Sequence, residues 1–419
     1  MTHSLRPRLI PAAEAHRSGE IRYDSEGNAR LQSAGLSIPP ARQYPAIRAT
    51  FDDLNKALST QANSPRVSGT SLRARYEAEA ERYEALVAEA LAEDKLEPDY
   101  GTYVYDASRQ DLYLVAPEPW HRLALVTSNS KLLTDPAQEL SWQDIRERLE
   151  NAVVGFAGVS VGGNLLEGWL REARPKCVKL ADPDWVELTN FNRGERMSLR
   201  HLVAPRSARF DQKNPYDVPR IPKAEYAAYE AQLVDPYLEV HVYSEGLNRE
   251  NLDRFFLGDG AGEPPIDILV EEMDHLELKV LVRQEARKHR VDVLMLSDFG
   301  HQAHVFWNPF RTEPDSRLGY ASSDDLLLEA LAKARGGDRA KIFEFVALLC
   351  GEDFAGDQFR AWIEGRGEQP TSSLPQSGAT AMASGAIGGK EIALRVLGYP
   401  VPAGRRVVYD LLHRRATQG

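Results

Sequence analysis

Val153-Val-Gly-Phe-Ala-Gly158-Val-Ser160-Val-Gly-Gly163 is the stretch on which the reading of this 419-residue chain turns. Residues 152–157 are small and apolar without alternation, the composition of a strand buried on both faces in a parallel sheet. The glycines after it let the backbone pass close to a ligand. A helix is predicted from about Asn164 to Glu172, so its free amides and positive dipole end face whatever the turn holds. Such a ligand carries phosphate.

Asp182 stands nineteen positions after Gly163 and closes a second short, mostly apolar run, Cys177 to Ala181. A carboxylate at this offset from a glycine turn is what a Rossmann-type unit uses to hold ribose hydroxyls. The turn itself departs from G-x-G-x-x-G, because Ser160 takes the place of the middle glycine. The segment that begins at Asp182 is more specific: Asp182-Pro-Asp184-Trp-Val-Glu-Leu-Thr-Asn190-Phe-Asn192-Arg193. It resembles the D-x-D-x-V-E-x-x-N-L-N/Q-R signature of the ThiF/MoeB adenylyltransferases, which include the ubiquitin-activating enzymes, and departs from it only at Phe191.

The resemblance runs from roughly Thr134 to Gly398 and implies an enzyme that binds ATP and magnesium and activates a carboxylate as an acyl-adenylate, releasing pyrophosphate. Carried over residue by residue, Gly158, Ser160 and Gly163 would hold phosphate oxygens and Asp182 the ribose, with Asp184 beside it. Asn190, Arg193 and Lys223 would stabilise charge on the α-phosphate and on departing pyrophosphate. The run Glu271-Glu272-Met-Asp274-His275 comes directly after the strand Ile266 to Val270, where the family has D-x-x-D-N. Asp274 then matches the magnesium-binding aspartate, Glu271 takes the first acidic place and His275 replaces the asparagine. Three acids at a strand's carboxyl end repel one another unless a cation is present, and the plain alternative is that they cap the helix Leu276 to Arg290. Lys131 sits nearest the place of an arginine that reaches phosphates in the family.

Composition sets wider bounds. With 42% hydrophobic and 27% charged residues the chain is ordinary globular material, and its net charge of −11 argues against general nucleic-acid binding. Two cysteines, Cys177 and Cys350, make neither a disulfide framework nor a four-cysteine zinc site. The two C-x-x-C zinc pairs of many family members are missing, which weakens the case for sulfur transfer to a partner protein. No window approaches 18 apolar residues and the N-terminus lacks an apolar core, so no membrane span or export is expected and the cytoplasm is the default.

Taken in order, residues 1–70 read as a partly irregular N-terminal arm broken by Pro39-Pro40 and Pro65. Residues 71–133 read as a small α+β region, with an amphipathic helix over 71–93 and a hairpin from Thr102-Tyr-Val-Tyr-Asp and Asp111-Leu-Tyr-Leu-Val. Residues 134–400 form the adenylation domain and 401–419 a C-terminal tail. Within that domain a helix over 137–149 leads into the central strand, and 198–220 reads as a loop over the nucleotide. Lys223 opens a helix, exposed in its first turn against the dipole, and Pro236 stops that helix before a strand. Val291 to Leu296 is a further strand, and after it comes Asp298-Phe299-Gly300, a kinase-like tripeptide without an H-R-D loop before it and so a coincidence. Gln302 to Trp307 alternates like a strand leaving the nucleotide sheet, and places His301 and His304 on opposite faces. Cys350 ends an apolar helix and reads as a core residue rather than a thioester-forming thiol.

The fold class expected is α/β: a Rossmann-like, doubly wound, mostly parallel sheet with an N-terminal α+β extension. The substrate is a carboxylate, whether a ubiquitin-like protein C-terminus, a peptide or a small acid, and the resemblance implies a homodimer in which Lys131 is supplied in trans. The rival readings are an NAD(P)-dependent oxidoreductase on the same fold, which leaves Asn190, Arg193, Lys223 and Asp274 idle, and a degenerate nucleotide-fold binding module.

Overall fold

The computed structural model describes residues 6–47, 49–50, 101–118, 121–122, 125, 140, 142–194, 196–202, 220–321, 323–351, 376–402 and 405–418. The helix expected over 71–93, Lys131 and most of the loop expected over 198–220 lie outside them. The chain divides into two compact units, Met1–Glu147 with Gln232–Tyr237, and Arg148–Ala231 with Leu238–Gly419.

In the first unit β1 (Arg8–Pro11), α1 (Ala12–Ser18), β2 (Ile21–Tyr23), β3 (Ala29–Leu31), β4 (Leu36–Ile38) and β5 (Gln43–Pro45) precede β6 (Thr102–Asp106) and β7 (Asp111–Val115). The hairpin expected at 102–115 is present, and Asp106 Oδ1 fixes its turn by accepting from the backbone N–H of Ser108. The arm is not separate from it: β1 and β5 flank β6 and β7 in one four-stranded sheet, while β2, β3 and β4 form an antiparallel meander. Ile10, Ile21, Leu31, Tyr103, Tyr105 and Leu112 share one core, which is why the arm orders.

The second unit is built on eight strands, and five of them are parallel. After α2 (Trp142–Asn151) come β8 (Val154–Ala157), α3 (Gly162–Ala173), β9 (Cys177–Ala181), α4 (Lys223–Val234), β10 (Glu239–Tyr243), α5 (Leu252–Leu257), β11 (Ile268–Glu271), α6 (Leu276–His289) and β12 (Asp292–Phe299). The sheet then continues with β13 (Gln302–Asn308), α7 (Asp324–Ala334), α8 (Arg339–Cys350), α9 (Gly378–Val396), β14 (Arg406–Asp410) and β15 (Arg415–Gln418). The strand order is β10-β9-β8-β11-β12-β13-β14-β15, with β8 to β12 parallel and the last three antiparallel additions. This is the expected doubly wound sheet, and its strand order reverses between β8 and β11.

Two details differ from the sequence expectation. The strand at 302–308 does not leave the sheet but pairs along its length with β12. Residues 406–418, expected as a tail, supply β14 and β15 of the same sheet, so the sheet does not end near residue 400. Both elements answer one need: each new strand covers the polar edge of the one before it.

Side-chain alternation sorts the strands between two helical layers. Val153, Ala157, Leu269, Val293 and Met295 pack into a core with Phe255, Phe256, Val282, Leu327 and Phe345 from α5 to α8. On the opposite face α3 crosses α9 at backbone contact: a Cβ on Gly168 would collide with the carbonyl oxygen of Gly385, and one on Gly388 would meet Leu165 at 2.7 Å. The small-residue run Gly378–Val396 is therefore matched to that crossing, as its composition predicts.

Candidate functional site

The loop after β8 lies at the reversal of strand order, where open α/β sheets hold ligands. Gly158 has φ 91°, a conformation that suits glycine, and a Cβ there would lie 2.5 Å from the carbonyl oxygen of Glu272, in the loop after β11. The two loops of the switch point thus touch through Gly158. Gly163 differs: nothing stands within 4 Å of where its Cβ would be, so the backbone there borders open space. Helix α3 begins at Gly162 without a side-chain cap at Val161, leaving its first turn to solvent or a ligand. Among the described residues, Ser160 Oγ is buried without a hydrogen-bond partner, and so is Asn164 Oδ1, while Asn164 Nδ2 donates to the Arg193 carbonyl at 2.6 Å.

Asp182 ends β9 with 4% exposure, and both its oxygens hold backbone. Oδ2 accepts from Val159 N–H at 2.8 Å and Oδ1 from Asp184 N–H at 2.9 Å, so this carboxylate ties the glycine turn to the end of β9. Burial raises its pKa above the usual carboxylate range, and Lys223 opposes that shift. Each oxygen still has a lone pair for a further donor. Lys223 is buried rather than exposed as expected, at 6%, with Nζ donating to Asp184 Oδ2 at 2.9 Å. Its charge is set between Asp184 and Asp182 instead of in solvent, which removes the cost a lysine pays at a helix N-terminus.

Asn190 is also inside. Its Oδ1 accepts from Glu187 N–H at 2.9 Å in a reciprocal capping box that closes the short turn Leu188–Asn190. Arg193 comes next, half-exposed, its guanidinium donating to the Thr189 carbonyl at 2.7 Å and to Asn192 Oδ1 at 3.1 Å. The polar side chains of the 182–193 segment therefore largely build their own loop, and the segment is joined to the glycine turn and its helix through Asp182 and the Arg193 carbonyl.

The acids after β11 part company. Glu271 is fully buried and pairs with Lys279 at 2.9 Å and Arg283 at 2.6 Å. Burial alone would raise its carboxyl, and those two cations outweigh burial to hold it below its ordinary value. Glu272 bonds the backbone N–H of Leu296, and burial pushes its carboxyl well up. Helix α6 is capped by neither: His275 Nδ1 accepts from Leu278 N–H at 3.3 Å. The repulsion expected among three acids is thus relieved largely within the protein, and Glu271 is no candidate ligand. Asp274 alone of the three stays exposed on the loop.

Beside it stands a carboxylate that the sequence pattern did not single out. Asp298, 6% exposed near the end of β12, accepts from Gln376 Nε2 at 2.9 Å through Oδ1, while Oδ2 is buried without a hydrogen-bond partner among the described residues. Burial pushes this carboxyl up to about 7, against the pull of Gln376 and Arg193 and with a further push from Asp274. The signal for it is the same as for Asp274, an acid at the carboxyl end of a parallel strand, but the apolar pattern ends that strand at Leu296. Gln376 and Thr380, which bonds the Gly300 carbonyl at 3.0 Å, bring the start of α9 to the same place.

A small cleft open to solvent borders the turn, lined by Val159, Gly163, Leu166, Met197, Tyr226 and Ala227 among others. Neither cysteine reaches it. Burial pushes the Cys350 thiol up to about 11 and the Cys177 thiol up to about 12, the reverse of what a thioester-forming thiolate needs.

No family model matches the chain. Among curated proteins, a Mycobacterium tuberculosis protein named "Uncharacterized protein MT1398" is 29% identical over 181 residues, 42% of this chain; the match spans 22% of that relative's length. Among solved structures the chain is similar to PaaA, at 15% identity with a TM-score of 0.43 over 71% of this chain and 79% of that one. It is also similar to E. coli MccB crystallised with ATP, at 15% identity with a TM-score of 0.42 over 68% of each chain. A third is the Microcin C7 biosynthetic enzyme MccB in complex with N-formylated MccA, at 12% identity with a TM-score of 0.41 over 72% of this chain and 76% of that one.

Proposed function

We propose that this protein is an ATP- and magnesium-dependent adenylyltransferase that activates a carboxylate as an acyl-adenylate with release of pyrophosphate. The observation that carries the reading is the convergence, at the reversal of strand order, of an uncapped glycine turn open at Gly163 with Asp182, Lys223, Asn190 and Arg193 of the signature-like segments. A buried lysine beside the turn, and Ser160 Oγ and Asp298 Oδ2 buried without hydrogen-bond partners among the described residues, support a ligand-binding reading over a bare scaffold. An oxidoreductase would use the turn and Asp182 but not the rest.

In this reading the substrate carboxylate attacks the α-phosphorus of ATP, a bond forms between its oxygen and that phosphorus, and the bond to the bridging oxygen of the leaving pyrophosphate breaks. The carboxylate is already a nucleophile, so no base is required and the rate comes from positioning and charge stabilisation. The amides of the turn hold phosphate oxygens, Asp182 accepts from ribose hydroxyls, and Asp184 keeps the Lys223 ammonium aimed at the site. Arg193 has N–H donors beyond those given to Thr189 and Asn192, and directs them at charge growing on pyrophosphate.

Magnesium fits the residues present. Asp274 offers an exposed oxygen ligand on the switch-point loop, near enough to Asp298 for the two like charges to disfavour each other. A cation bound there would neutralise phosphate charge. The substrate class is a carboxylic acid, such as a peptide, a small acid or the C-terminus of a ubiquitin-like protein.

Calorimetric titration with ATP and with NAD, each with magnesium and in excess chelator, tests the reading. Magnesium-dependent ATP binding that Asp274→Ala abolishes is the expected result, and ATP affinity unchanged by chelator would overturn the assignment.

A further inference from the structure

Away from the glycine turn, at the amino ends of two neighbouring strands, lies a set of side chains that the proposed chemistry leaves unused. We infer that Cys177, Glu239 and His241 form a binding site for zinc. Their sulfur, oxygen and nitrogen atoms all lie within 4.8 Å of one another.

Register places them together. β10 pairs with β9 in parallel, Glu239 opposite Cys177 and His241 opposite Lys179, so the three side chains leave the same face of the sheet. Bonds of about 2.0 to 2.3 Å to a tetrahedral zinc put ligand atoms roughly 3.3 to 3.8 Å apart, a spacing inside the range from 2.9 Å, between His241 Nε2 and Glu239 Oε1, to the 4.8 Å that bounds the set. Cys177 is buried at 5% while the Glu239 side chain is 56% exposed, so the site has an anchored sulfur inside and an entry from solvent that also leaves a fourth position for water.

The imidazole is the second observation. His241 Nε2 lies 2.9 Å from Glu239 Oε1, at ion-pair distance but outside hydrogen-bond geometry, and among the described residues it has no hydrogen-bond partner. A ring nitrogen at this distance from a carboxylate, with a thiol in the same cluster and no hydrogen bond holding it among the described residues, is placed to share a metal ion with them. The competing explanation is an ordinary charge cluster, and the contrast with Asp253, Glu285 and His289 speaks against it. There the ammonium of Lys288 already stands 2.7 Å from Glu285 and 3.7 Å from Asp253, taking the cation's place. Lys179, the nearest ammonium on the Cys177 face, is instead engaged by Glu263 at 2.9 Å and by the Phe255 carbonyl at 2.8 Å.

The donor set selects the ion. A cysteine sulfur, which releases its proton to solvent as the metal binds, and an imidazole favour a borderline-soft cation, whereas magnesium and calcium take oxygen ligands. Bound zinc would clip β10, the outermost described strand on its side of the sheet, to β9.

The test uses the full chain, stripped with chelator and titrated with cobalt(II) as an optical probe for the zinc site. Expected is a saturable thiolate-to-cobalt charge-transfer band that zinc displaces and magnesium does not, retained in Cys350→Ser and lost in Cys177→Ser. His241→Ala keeps the experiment decisive if Cys177→Ser fails to fold: it should weaken cobalt binding by at least about tenfold, the scale of even an outer ligand's loss. Absence of the band in the parent protein, or a band equally strong in His241→Ala and Glu239→Gln, would overturn the site.

Discussion

Arg193 bonds its own loop through Thr189 and Asn192, and its charge also acts on Asp298, which makes its removal informative. If the guanidinium serves charge that grows as pyrophosphate leaves, Arg193→Ala should lower kcat by about a hundredfold or more while ATP affinity moves little. ATP–pyrophosphate exchange measures the first and calorimetry the second; a change confined to KM would make Arg193 a ground-state contact. Asp298 supplies a pH signature of the ligand-free protein. Its carboxyl stands at about 7 when folded, above the usual value of 3.8, chiefly through burial. The folded state therefore binds the extra proton between those values. The stability this contributes is full below the unfolded value and lost as pH rises through about 7. Asp298→Asn should match the parent near pH 4 and exceed it above pH 7 by an amount on the order of a few kcal/mol, read from urea unfolding. Parallel stability profiles for the two proteins would refute the shift.

At the scale of elements, the α3–α9 crossing shows how context reverses a propensity. Glycine inside a helix costs about 0.5 to 1 kcal/mol relative to alanine, so replacing Gly385 should help α9 taken alone. In place, a Cβ on Gly385 would lie 2.5 Å from the Asn164 carbonyl oxygen, on the helix that starts at the glycine turn. Gly385→Val should then destabilise by about 1 to 3 kcal/mol, and urea unfolding should show it. Because Asn164 also binds the Arg193 carbonyl, the same substitution should weaken ATP binding by shifting that contact. A stabilised variant with intact ATP binding would mean the helices separate at little cost. This element was legible in sequence as a run of small residues; its partner was not, since Gly168 lies more than two hundred positions away.

For the whole molecule, the motif resemblance leads us to propose a homodimer, and light scattering at micromolar concentration should give twice the mass of one chain. A monomeric mass would remove this part of the reading. None of the helices among the described residues is long and apolar enough to cross a membrane. The first unit has two small sheets and the second one large sheet, each unit has its own core, and the candidate site is built within the second unit.

Local chemistry alone determined the turn at 158–163, the helix after it, the parallel strands and the acid at 182, because glycine conformation, helix capping and apolar runs act over a few residues. Tertiary structure decided what those residues meet. Whether Glu271 was a metal ligand depended on Arg283, twelve residues on across a helix; the buried place of Lys223 depended on Asp184, thirty-nine residues before it. Asp298 became part of the site, and 406–418 part of the sheet, through pairings that no local pattern encodes. Burial removes water as a partner, so a charged group's role is set by whichever distant group replaces it.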